Sequence, residues 1–69
     1  MTAAQYDALE RAIVDGSRVA IRLHGAELVV IPESIRMDKG RELLVTQNPS
    51  SGLPLNITID DIEWLEVIR

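Results

Sequence analysis

A chain of 69 residues with no cysteine and a net charge of −4 is confined to one small domain. It has neither disulfides nor thiolate metal sites, and it lacks the basic surplus that supplies most nucleic-acid affinity. The apolar share of 46% includes no Phe and only Tyr6 and Trp64 as aromatics, so Ile, Leu, Val and Ala must build the core. A core of this size yields only about 3–5 kcal/mol, and oligomerisation is one way to add to it. The longest apolar runs, such as Leu28 to Ile31, fall far short of a membrane span. No basic start followed by an apolar stretch marks a secretory signal, so the expectation is a cytoplasmic protein without a membrane partner.

The first fifteen residues carry a helical pattern. Tyr6, Leu9 and Ile13 recur with Ala12 on one apolar stripe, Thr2 is an N-cap, and Gly16 a C-cap. The predicted helix covers about 3–15. From Arg18 the hydrophobic period drops to two: Val19, Ile21 and Leu23 alternate with Arg18, Ala20 and Arg22. A turn at His24 to Glu27 and a return strand at Leu28 to Ile31, stopped by Pro32, complete a hairpin. Glu33 to Gly40 reads as a polar connection with a turn at Asp38-Lys39-Gly40. Glu42 to Thr46 is a third strand, and Asn48 to Gly52 a loop of consecutive turn formers. Leu55, Ile57 and Ile59 mark a fourth strand, Asp60-Asp61 a short helical turn with Asp60 as its cap, and Trp64 to Ile68 a fifth strand.

One helix followed by five short antiparallel strands makes an α+β, mainly β, single domain over 1–69. So many twisted strands in so few residues do not stay flat with both edges bare. The expected solution is a small, partly closed barrel over about 18–68, of the Sm-like or SH3-like layout, with the helix packed over one end.

Two resemblances accompany this layout. From Ala12 to the C-terminus the chain resembles a minimal WYL domain, the Sm-like module of bacterial transcription regulators. The matching segments are Ala12-Ile13, Val19-Ala20-Ile21-Arg22, Val29 to Ile35, Gly40 to Leu44, and Ile59 to Val67. The family's ligand-contacting positions fall on Leu23, Leu55, Ile57 and Asp61, so the resemblance implies the barrel without the ligand-sensing side chains. The helix Tyr6-Asp7-Ala8-Leu9-Glu10-Arg11-Ala12 is similar to that opening the Rof-like proteins, small acidic Sm-like inhibitors of the transcription terminator Rho. Ile13 stands where that family usually has Cys. Both resemblances imply bacterial gene regulation; they differ on the partner.

Reactive chemistry is sparse. His24, the only histidine, falls on a hairpin turn beside Gly25, and a lone imidazole there reads as an exposed loop residue. Asp60 and Asp61 are adjacent and diverge. No catalytic, cofactor-binding or metal-binding set is expected, and the protein is read as not an enzyme. Two charged sets are candidates for binding. Asp60, Asp61, Glu63 and Glu66, with Trp64 among them, form an acidic run suited to a basic partner. Arg18, Arg22, Arg36, Lys39 and Arg41 form a basic patch if the fold brings the first strand and the second loop together. An ordinary solvated surface is the favoured reading of both sets, and core packing that of Trp64. The function read from sequence is a non-enzymatic binding module acting through protein or ligand contacts in bacterial transcription regulation. The alternatives are a Rof-like inhibitor of a nucleic-acid-handling factor and direct RNA or single-strand binding. A protein partner is expected and homo-oligomerisation is an option, whereas the net charge disfavours nucleic acid.

Overall fold

A computed structural model describes residues 1–69. Helix α1 spans Ala3–Asp15, opened by a reciprocal capping box. The Thr2 hydroxyl accepts from the Gln5 backbone N–H at 3.1 Å, and the Gln5 side chain accepts from the Thr2 N–H at 2.8 Å. Gly16 ends the helix by donating its N–H to the Ala12 carbonyl. The predicted stripe faces inward: Leu9 and Ala12 are buried, with Tyr6 and Ile13 partly buried beside them.

Strand β1, Arg18–Leu23, turns through His24-Gly25 into β2, Ala26–Asp38. Both turn residues have positive φ, 47° and 79°, as the type I′ hairpin matching strand twist requires. Pro32 does not stop β2, contrary to the sequence reading, and the segment taken for a polar connection is strand as far as Asp38. Two features make this compatible with proline. Pairing with β1 has ended at Val30 before Pro32 is reached, and a register shift between Pro32 and Ser34 leaves Glu33 as a bulge. Proline is tolerated where the ladder is already interrupted. A second tight turn, Lys39 at φ 51° and Gly40 at φ 78°, leads to β3, Arg41–Gln47.

The Asn48–Gly52 loop is locally bonded, its Asn48 side-chain oxygen accepting from the Ser50 and Ser51 N–H groups. It connects to β4, Pro54–Thr58, which runs into the 3-10 turn η1, Ile59–Asp61, and then β5, Ile62–Ile68. Ile59 therefore begins the turn rather than ending the fourth strand, although it is still buried. Asp60 lies inside η1 and does not cap it; Thr58 occupies that position without a side-chain bond.

The strand order is β4-β3-β2-β1-β5, antiparallel throughout. The first half of β2 pairs with β1 and the second half with β3, so one long strand serves two half-sheets. Val19, Ile21, Val30 and Leu65 from one half join Leu44 and Ile57 from the other in a single buried cluster. Helix α1 packs on β1, β2 and β5 and covers it. The fold is thus a helix over a bent five-stranded antiparallel sheet. The barrel is not closed by hydrogen bonds: β4 and β5 both remain edges, joined through η1.

Candidate functional site

The residues with most to offer a partner lie on β5 and its neighbours. Strict alternation would put Ile62 and Trp64 on the same face. The pairing with β1 instead skips Glu63, Leu23 facing Ile62 and Arg22 facing Trp64. That one-residue bulge lets Ile62 and Leu65 both enter the core and turns Trp64 outward with Glu66 and Ile68. Trp64 is 36% exposed, so the expectation of a core tryptophan is corrected. From Trp64 onward β5 alternates regularly, with Leu65 and Val67 inward, and the bulge lets Ile62 join that inward set.

On the outer face the Trp64 ring meets the Arg22 guanidinium, whose central carbon is 5.8 Å from the ring centroid. Arg22 in turn bonds the Glu27 carboxylate at 3.2 Å, the only salt bridge of the chain. Trp64, Arg22 and Glu27 thus form one row across β5, β1 and β2. Both charged side chains are about half exposed, which leaves such a pair roughly 0–1 kcal/mol. The next row holds Glu66, Ala20 and Val29, with Ile68 opposite Arg18 beyond it. Val29 and Ile68 are 44% and 42% exposed and add apolar surface beside Trp64. Sequence reasoning passed over them, although their parity opposite Val30 and Val67 carried the signal.

The acidic run does not act as one face. The Glu63 carboxylate accepts the Gly25 N–H at 2.9 Å and so fastens the β1–β2 turn to the start of β5. Asp60 lies instead near a contact that the sequence did not suggest. There the Tyr6 hydroxyl donates to Glu42 at 2.6 Å, linking α1 to β3. That bond, with desolvation and the charges of Glu42 and Asp60, holds the phenol above its ordinary value. Asp61 is exposed. Of the acidic set, only Glu66 shares an exposed face with Trp64.

The basic residues also divide. Arg18 and Arg22 share the outer face of β1, as expected from their parity. Arg36, Lys39 and Arg41 gather at the β2–β3 turn, at the far end of β2 from Glu27. Arg36 faces Leu43, and Arg41 faces Asp38. A cleft of about 360 Å3 runs beside Arg36 between Met37, Leu43, Val45 and Asn56. Because β1 pairs only with the first half of β2, and Arg36, Lys39 and Arg41 lie at or beyond its other end, the five positive side chains are not one patch. His24 is exposed on its turn. No three His, Asp or Glu side chains converge as a metal site would need, and no helix is long and apolar enough to cross a membrane.

The arrangement offers two kinds of recognition. One is the unpaired backbone of β4 or β5, which can take a further strand. The other is the aromatic and charged surface on the outside of β5, β1 and β2. No protein-family model matches this sequence, and a search of curated proteins finds no match either.

Proposed function

We propose that this protein is a non-enzymatic binding module that recognises a protein segment through β5, by pairing along its open edge and docking against Trp64. A single observation carries the reading: the chain's one tryptophan is solvent-facing and stands on a strand whose other side is unpaired. Large aromatics held in a defined rotamer by a neighbouring cation are the residues that dominate interface energetics. The likeness to WYL and Rof-like proteins supports a setting in bacterial transcription regulation.

A Rof-like inhibitor, with acidic residues competing for an RNA-binding groove, is the second reading. It is favoured by the meeting of Asp60 and Glu42 beside Tyr6. Direct RNA or single-strand binding is the weakest of the three, because the arginines divide between two ends of β2 and no aromatic lies among Arg36, Lys39 and Arg41.

Capture from the native host with the wild type and with Trp64→Ala in parallel tests the first reading. Before capture, light scattering gives the oligomeric state. The expected result is a partner retained by the wild type and lost by the folded variant. A partner held equally by both removes β5 from the interface. Retention of Rho that depends on Asp60, Asp61 and Glu63 instead selects the inhibitor. Binding of single-stranded RNA that falls steeply with salt selects the third reading.

A further inference from the structure

The outer face of β5 has three positions, and the chain completes two of them. Trp64 is covered in part by the Arg22 guanidinium, and Ile68 faces Arg18 across the ladder. Glu66 between them faces only Ala20, whose methyl group offers neither charge nor hydrogen bond. Arg18 and Arg22 stand diagonal to it, but the chain's one salt bridge joins Arg22 to Glu27, so the Glu66 carboxylate makes no ion pair. On its other side is the open edge of the sheet.

A strand laid along that edge places its outward side chains about 4.5–5.5 Å from those of β5. We infer that the segment recognised by β5 is an extended peptide with the outward pattern apolar, any residue, basic, any residue, apolar. The Lys or Arg pairs with Glu66, and the flanking apolar residues lie against Trp64 and Ile68. The pattern reads the same in both directions, so it holds for a parallel or an antiparallel partner. The intervening residues turn toward the helix side. There a cleft of about 220 Å3 between α1 and β5, where Ala8, Ala12 and Val67 meet Ser17 and the charged Arg11, Asp15 and Arg69, leaves room for a small polar side chain such as threonine.

A second copy of the chain does not satisfy the pattern. The other open edge, β4, has the sequence Pro-Leu-Asn-Ile-Thr, without a cation, and begins with a proline that blunts edge pairing. Two β5 strands paired symmetrically about Glu66 set it against like charge, and in the neighbouring registers it meets Trp64 or Ile68, so no register supplies a cation. The occupant is therefore a basic segment of another polypeptide.

This inference rests on the edge reading above, and the test separates the two. The probes are blocked peptides Ser-Thr-Val-Thr-Lys-Thr-Val-Thr-Ser and its central Gln and Glu analogues, titrated against the whole protein. Trp64 fluorescence and the amide shifts of Ile62 to Ile68 are the readouts. An exposed cross-strand charge pair is weak, and exchanging attraction for repulsion enlarges its effect on affinity. The Lys peptide is thus expected to bind about three- to ten-fold more tightly than the Glu peptide at low salt. The exposed Glu66→Lys variant, folded by its melting curve, is expected to reverse the order. Three peptides that shift the β5 amides with equal affinity overturn the charge rule and leave edge recognition standing. Peptides that leave those amides unmoved overturn both.

Discussion

The two halves of the bent sheet are built alike on the inside and differently on the outside. Each contributes fully buried aliphatics to one cluster, Val19 and Ile21 from β1 and Leu44 from β3. Each also begins with a two-residue turn that pairs a non-glycine residue at positive φ with a glycine, His24-Gly25 in one and Lys39-Gly40 in the other. The first turn is clasped by Glu63 from β5, whereas the second has no side chain bonded to it. Outside, the β5-β1-β2 half carries the tryptophan, its cation and the salt bridge. The β2-β3-β4 half ends in an uncharged edge strand with Leu53 and Leu55 in solvent. The difference shows where the end of the chain has returned. β5 supplies both the clasp and the exposed tryptophan, so the half it joins carries the surface on which the proposed recognition rests.

The largest effects should come from the shared interior. Ile21→Ala and Leu44→Ala each remove buried methyl groups from a site with no exposure and are expected to cost about 3 kcal/mol. That is most of the stability of so small a domain. If the halves are one cooperative unit, urea unfolding followed by tryptophan fluorescence and by circular dichroism should give coincident transitions in both variants. Separate transitions would break the comparison into two independently folding parts.

Tyr6→Phe cuts the tie between α1 and the second half. Loss of a hydrogen bond to a carboxylate from a partly buried phenol should cost about 1–1.5 kcal/mol. The sign of its pH dependence follows from the raised phenol. Folding keeps the neutral form, so this contribution is whole below the ordinary tyrosine value near 10 and disappears as pH rises through the higher folded value. Melting curves from pH 8 upward should show wild type and Tyr6→Phe converging.

The two turns provide a finer test. Gly25→Ala and Gly40→Ala meet no steric obstacle, and their cost of about 1 kcal/mol is that of placing a Cβ at positive φ. Glu63→Ala should add about 0.5–1 kcal/mol and speed amide exchange at Gly25 while leaving Gly40 unchanged. Equal acceleration at both turns would mean that Glu63 is not specific to the first. Smallest of all, Lys39→Asn should stabilise the second turn by about 0.5 kcal/mol, because asparagine accepts positive φ more readily than lysine. A rise of a few degrees in melting temperature would register it.

Much of the architecture was legible in the residues. The switch from a helical stripe to two-residue alternation after Gly16, the His24-Gly25 and Lys39-Gly40 punctuation, and the Asn48 to Gly52 loop are local signals, and the elements follow them. The continuation of β2 past Pro32 was not legible. Whether a proline ends a strand depends on whether a neighbour needs its missing N–H, and β1 has stopped pairing by then. The same holds for the site. The spacing of Arg18 and Arg22 announced one exposed face, but the separation of those residues from Arg36, Lys39 and Arg41 is a property of where β2 travels.

By itself, then, the sequence determined the order of one helix and five strands, the turns that separate most of them, and that the core is aliphatic and small. Those properties depend on neighbours within a few residues, and hydrophobic period and turn chemistry report them directly. The tertiary structure decided the face of Trp64, the partner of Tyr6 and the isolation of Glu66. Each of these depends on register between strands distant in the chain, and a single unpaired residue at Glu63 resets which side chains of β5 face water.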